Sequence, residues 1–199
     1  MQEIISYLTA NYIEAVSTFF GIVCVYLNAK ENIWAWPTGI ISVGLGIIIF
    51  LEYKLYGDMG LHVVYVILGF YGWYNWLYGG KQHEGVQIHR SAKTELYGFL
   101  AIGTVTSLVL GYVLEKNTDS DVPYFDALTT VFSLIAQYQL TKKIIENWLI
   151  WIAVDVVCVG LYFYKGLYIY TFLYFVYLIL ATMGYLNWKK LMFRQEAVY

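Results

Sequence analysis

The chain has 199 residues, 60% of them hydrophobic and 13% charged, with a formal net charge of −2. Soluble domains keep roughly a quarter of their residues charged, so a soluble class is excluded, and the near-neutral balance leaves no case for a nucleic-acid partner. A mean hydropathy of +0.58, with charges clustered between long apolar runs, is the pattern of an all-α, polytopic membrane protein surrounded by lipid.

The amino-terminal stretch "MQEIISYLTANYIEA" has no basic region and no cleavage site, so the first apolar segment is expected to be retained as a membrane span. Apolar segments follow at 12–28, 34–52, 60–79, 96–114, 124–141, 147–165 and 167–188. Each is near the roughly 20 residues needed to cross the hydrocarbon core. Connections such as "KKIIE" and "KG" are short, and the longest polar stretch, 79–95, is a surface loop with no room for a soluble domain. With the amino terminus outside, the inner regions carry Lys30, Lys81, Arg90, Lys93, Lys142, Lys143, Lys189, Lys190 and Arg194, against Lys54, Lys116 and Lys165 outside. The excess of Lys and Arg marks the cytoplasmic side. The carboxyl terminus is therefore expected in the cytoplasm.

The third span contains "VYVILGFYGWYNW" (64–76) and the seventh "VYLILATMGYLNW" (176–188), with seven of thirteen positions identical, among them Tyr65/Tyr177, Gly72/Gly184, Asn75/Asn187 and Trp76/Trp188. Apolar helices match by chance at Val, Ile and Leu, but not readily at Gly, Asn, Trp and Tyr in register. Spans one to three and five to seven thus read as duplicated units. Three crossings reverse the chain, so parallel repeats need the fourth span as an inverting linker. The expected organisation is a first repeat with its cytoplasmic loop over 1–95, a linker helix over 96–114, and a second repeat with a basic tail over 115–199. Parallel repeats of this kind are a transporter architecture, with the substrate site near the midplane between them. A duplicated bundle without a pathway is the rival reading.

On the sixth span Trp148, Trp151 and Asp155 are spaced by three and four and share one face, with Asn147 at the membrane edge. Thr130, Ser133 and Gln137 repeat the spacing on the fifth span, Tyr170, Tyr174 and Tyr177 line the seventh, and Asn75 lies beside Trp76 on the third. An aspartate at the centre of a membrane helix costs roughly 2.5–3.5 kcal/mol on insertion scales, and such residues face the interior and mark pathways or ligand sites. Asp155 has no Lys or Arg at matching depth. Three readings stand: a protonated structural carboxyl, a proton relay, or a carboxylate awaiting a cationic or hydroxyl-rich ligand. The two indoles suit the third, because an indole face attracts cations and stacks on flat rings. Gln137 and Asn75 could then bond an amide or sugar hydroxyls.

Cys24 and Cys158 read as buried thiols rather than a disulfide or metal pair, and His62, His83 and His89 have no ligand spacing. No Ser–His pair, Cys/His cluster or paired carboxylates lie at a workable depth, so neither an enzyme nor a bound cofactor or metal is expected. A seven-span receptor would not need the internal repeat.

"NIWAWPTGIIS" (32–42), "LYGDMGLHVVYVILGFYGWYNW" (55–76), "ENWLIWIAVDV" (146–156) and "YKGLY" (164–168) together resemble the PnuC family of bacterial vitamin transporters, from residue 13 to Trp188. The resemblance implies seven helices in a three-one-three arrangement related to the SWEET fold, a homotrimer, and location in the bacterial cytoplasmic membrane. It also implies facilitated diffusion of nicotinamide riboside, a flat cation joined to a ribose, trapped inside by a cytoplasmic kinase. Thiamine, another flat cationic vitamin carried by relatives, is the alternative cargo. The family's tryptophan pair falls on Trp148 and Trp151 after Asn147, its glutamine on Gln137, and its aromatic and amide cluster on Tyr71, Trp73, Asn75 and Trp76. Tyr177 and Asn187 are the counterparts on the seventh span and complete the candidate substrate-binding set. Two departures stand out: Ser42 occupies a position where Asn is common in the family, and His62 one where Gln is common.

Overall fold

A computed structural model describes residues 12–196 apart from 53, 55, 81 and 82. The amino-terminal residues 1–11 and Lys81, which entered the expectations above, lie outside the described residues. The described residues form seven helices: α1 (Tyr12–Ala29), α2 (Ala35–Glu52), α3 (Tyr56–Tyr78), α4 (Lys93–Asn117), α5 (Pro123–Thr141), α6 (Asn147–Tyr164) and α7 (Tyr168–Glu196). Each coincides with an expected apolar segment, and α4 and α7 run beyond theirs. Among the described residues five helices, α1, α2, α4, α6 and α7, are long and apolar enough to cross a membrane. The chain is a multi-pass, all-helical membrane protein. The sequence pattern expects α3 and α5 to cross as well. They fall short on hydropathy because the polar Asp58, His62, Asn75, Asp126, Gln137 and Gln139, with several Tyr, Trp, Gly and Thr of middling hydropathy, dilute their Val, Ile and Leu.

The chain divides into two compact units, one up to Val86 and one from Gln87. In the first, α1 packs on α2 and α2 on α3; in the second, α4 packs on α5, α5 on α6 and α6 on α7. The α4–α5 seam is made by Gly103, Ser107 and Gly111, one helical turn apart and all buried. A Cβ at Gly103 would stand 2.8 Å from Ile135 Cδ1, and one at Gly111 would run into the Tyr124 ring. Small residues at this spacing let two membrane helices approach closely. The other flank of α4 presents Ile102, Val105, Leu108 and Val109, all exposed, as a lipid-facing helix should.

A fixed offset of 112 residues relates the helices of the two units. It carries Ala29 to Thr141, Ala35 to Asn147, Glu52 to Tyr164 and Tyr56 to Tyr168, which are helix ends in both sets. The turns obey the same offset. Before α2, Glu31 takes a left-handed φ of 56°, and before α6, Lys143 takes 53°. In the first turn Asn32 N–H donates to the Leu27 carbonyl at 2.9 Å, and in the second Ile144 N–H donates to that of Gln139 at 3.0 Å. Left-handed residues at a helix end satisfy carbonyls that the last turn leaves open. The next pair of turns holds Lys54 at φ 58° and Gly166 at 72°, again 112 apart.

The segment before α4 is strapped to the α5–α6 turn. His89 N–H donates to the Lys143 carbonyl at 3.1 Å, and Ile145 N–H donates back to the His89 carbonyl at 3.0 Å. Ser91 donates both its N–H and its hydroxyl to Glu146 Oε2, at 3.0 and 3.3 Å. The end of the second unit at the α5–α6 turn is thereby a hydrogen-bonded corner.

Candidate functional site

The corner delivers α6 into the unit with Asn147 first. Its side-chain N–H donates to the Ile144 carbonyl at 2.6 Å, which anchors the helix start; the residue is 0% exposed. One residue on, Trp148 is 2% exposed. Its ring meets Trp188 of α7 edge to face, 5.5 Å between centroids at 88°, and a Cβ at Gly184 would stand 2.7 Å from Cζ2 of the indole. The first unit builds the same device: Trp36 and Trp76 meet at 5.3 Å and 88°, and Gly72 offers its bare backbone to the Trp36 ring. Trp151, one turn further along α6, is only half-buried.

Asp155 completes the stripe and is 4% exposed. Among the described residues its carboxyl has no hydrogen-bond or ion-pair partner. The groups in electrostatic range are the Cys158 thiol and the Tyr174 hydroxyl, and the Tyr174 ring lies against that of Tyr162. The tyrosines continue as a stack: Tyr162 lies 5.2 Å from Tyr174 and 5.6 Å from Tyr170, and Tyr174 meets Tyr177 edge-on at 5.9 Å. Asp155 therefore faces a polar and aromatic wall made by α7 and its own helix.

Of the expected site residues in the second unit, Asn147, Trp148 and Asp155 are buried on α6, and Trp148 meets Trp188 of α7; Gln137, Tyr177 and Asn187 are half-buried on α5 and α7. In the first unit, Asn75 is buried beside Trp76 on α3, Trp73 is half-buried and Tyr71 is exposed. Ser42 and Ser17 bond reciprocally, each hydroxyl on the other's carbonyl at 2.7 and 2.9 Å, joining α1 to α2. His62 packs edge-on against Phe50 at 4.7 Å and against the bare Gly46, with its Nδ1 3.0 Å from the Asp58 carbonyl. Both of these departures from the family pattern thus serve packing inside the first unit. Cys24 and Cys158 are free thiols.

Gln139 is a residue the sequence pattern did not single out. It is 0% exposed, and among the described residues neither its amide nitrogen nor its amide oxygen has a partner. The Oδ1 of Asn147 is in the same position. Buried polar groups are nearly always paired, and an unpaired one costs about 1–3 kcal/mol. A groove of about 370 Å³ between α5 and α6, lined by Val122, Phe125, Val156, Val157, Gly160, Leu161 and Tyr164, has almost no polar group to orient a ligand and is not a vitamin site.

Comparison with known proteins gives this arrangement its family. The family described as nicotinamide mononucleotide transporter matches residues 11–190. The nicotinamide riboside transporter PnuC of Escherichia coli is 27% identical over 203 residues, covering 89% of this chain and 85% of the relative. That of Neisseria mucosa is 29% identical, covering 94% and 75%. The riboflavin/roseoflavin transporter RibM of Streptomyces davaonensis is 27% identical, covering 88% and 83%. The crystal structure of the vitamin B3 transporter PnuC superposes with a TM-score of 0.74 at 28% identity, over 97% of this chain and 87% of that one. A match across nine-tenths of the sequence makes the chain a member of the nicotinamide mononucleotide transporter family.

Proposed function

We propose that the protein is a facilitated-diffusion transporter of nicotinamide riboside in the bacterial cytoplasmic membrane, with the amino terminus outside and uptake driven by cytoplasmic phosphorylation of the cargo. The observation that carries this reading is Asp155: a carboxyl 4% exposed and without a described partner, on a helix, α6, that has no Lys, Arg or His. A buried anion attracts a cation strongly once water is excluded. The pyridinium ring of the riboside supplies that cation. The mononucleotide of the family's description carries an additional phosphate, whose negative charge α6 has no basic group to meet.

In this reading the repeats 1–95 and 115–199, joined by the linker helix 96–114, rock as three-helix units in a three-one-three, SWEET-like arrangement, and the working particle is a homotrimer. Asp155 pairs with the ring, Trp148 and Trp151 supply indole faces, and Gln137, Asn147, Tyr71, Trp73, Asn75, Tyr177 and Asn187 meet the amide and ribose. Cargo crosses without chemical change. Transport of labelled nicotinamide riboside into proteoliposomes tests it. Saturable uptake independent of sodium and proton gradients, accumulating only when a riboside kinase and ATP are enclosed, is the expected result. Accumulation against a gradient without the kinase, or turnover of the riboside by the purified protein, would refute it.

A second cargo is favoured by one finding, the similarity to a riboflavin transporter over 88% of the chain. Riboflavin is flat but neutral, so it would leave Asp155 without its counter-charge. Competition of labelled uptake by unlabelled riboside, riboflavin and thiamine separates the cargoes. A ligand that binds but is never transported would point instead to a receptor.

A further inference from the structure

We propose that Gln139 reads the carboxamide of the cargo, pairing reciprocally with it through both atoms of its own amide. The inference deepens the cargo reading above and rests on it. Its basis is an internal control that the duplicated fold provides. At the offset of 112 residues, Gln139 corresponds to Leu27, and the two turns are superposable in their bonding: Lys30 N–H donates to the Leu27 carbonyl at 3.1 Å, as Lys142 N–H does to that of Gln139 at 3.1 Å. The same corner therefore forms with an isobutyl group in place of the amide. Gln139 is not there to build the turn.

Its neighbours differ between the units in the same sense. Asn147 corresponds to Ala35, Trp151 to Gly39 and Asp155 to Val43. The room beside Gly39 is taken by Cys24, whose Sγ would stand 2.8 Å from a Cβ there, so the first unit fills with its own thiol the place that Trp151 claims in the second. By contrast, Trp36/Trp148, Gly72/Gly184 and Trp76/Trp188 are shared and make the same contacts in each unit. What is duplicated holds each unit together; at these positions the second unit adds the buried polar side chains of Gln139, Asn147 and Asp155 and the half-buried ring of Trp151. A fold needing only stability would not place an amide with two unpaired atoms at 0% exposure where leucine serves.

The chemistry of the missing partner follows from the donor set. Of the two N–H donors on its amide, Gln139 has one side by side with its carbonyl acceptor. A primary carboxamide presents the complementary pair, whereas a carboxylate supplies acceptors only and leaves the Gln139 oxygen unmet. Discrimination between a group that fills both bonds and one that cannot is large, because the buried site atom stays unpaired.

The test is the Gln139→Leu variant, which installs the residue of the first unit, with binding of nicotinamide riboside and of nicotinic acid riboside measured calorimetrically in detergent. The wild type is expected to favour the amide over the acid at least tenfold; Q139L is expected to lose most of that preference, keeping only the part set by the acid's charge near Asp155, with a Tm in the absence of cargo equal to or above that of the wild type. Unchanged discrimination in Q139L overturns the proposal. So does a lowered Tm without cargo, which would assign the amide to the fold. Should neither riboside bind the wild type, the cargo reading falls by itself, and the cargo-free Tm comparison alone decides whether Gln139 is held for a ligand or for stability.

Discussion

Gly184 and Trp148 are in direct contact: the bare backbone of α7 lies against the indole of α6, with 2.7 Å between a Cβ built there and the ring. The contact sets the two tryptophans on α6 apart: Trp148 is packed against α7 and 2% exposed, whereas Trp151 is half-buried. It also makes glycine obligatory at 184 for a reason unrelated to backbone conformation.

Gly184→Ala should therefore push the indole out of its position against Trp188. Overpacking of this kind costs about 1–3 kcal/mol, read as a fall in Tm of the detergent-solubilised protein. Gly72→Ala should behave alike, because the Trp36 ring stands at the corresponding place. Gly44→Ala, where nothing lies within 4 Å, is the control and should leave the Tm unchanged.

The two indoles should separate experimentally. Trp148→Ala removes a side chain that is 2% exposed and should destabilise the fold by about 3–5 kcal/mol, so that any loss of binding accompanies loss of structure. Trp151→Ala touches a half-buried ring and should leave the Tm nearly intact while lowering affinity by about 1 kcal/mol or more through lost stacking. Paired Tm and binding measurements on both variants check the division; equal effects on stability would undo it.

Asp155→Asn keeps the shape of the side chain and removes its charge. Affinity for the cationic riboside should drop by roughly 2–5 kcal/mol, as for one partner lost from a buried charge pair, whereas the neutral reduced riboside should bind nearly as before. Equal affinities of wild type and variant for the cation would remove the charge pairing.

Glu146→Ala takes the acceptor from both Ser91 donors. Each bond to a charged group contributes roughly 1.5–3 kcal/mol, so the strap over residues 87–92 should open locally. Faster amide hydrogen exchange at Ser91 and His89, with α6 unaffected, is the expected signature.

Much of the fold was legible because a lipid core leaves few options: every backbone polar group must be satisfied within its own segment, so long apolar runs become helices. The seven segments and the helix start at Asn147 could be read from the apolar runs along the chain, and the Gly72/Gly184 and Trp76/Trp188 correspondences from residues 64–76 and 176–188. Extending that same offset upstream would also have paired Trp36 with Trp148 and Leu27 with Gln139, the one signal that could have exposed Gln139. The stripe Trp148–Trp151–Asp155 followed from helical spacing.

The amino-acid sequence by itself determined the class of protein, the helices and the twofold repetition, because hydropathy and period act along the chain and need no partner. Only the tertiary structure decided what each polar or aromatic side chain meets. Trp148 against Gly184, Ser42 bonded to Ser17, His62 wedged beside Gly46 and Gln139 buried with an unpaired amide are outcomes of helix-to-helix contact. Helical spacing settles the face on which a side chain lies; only the neighbouring helix settles whether that face is filled, bonded or left wanting a partner.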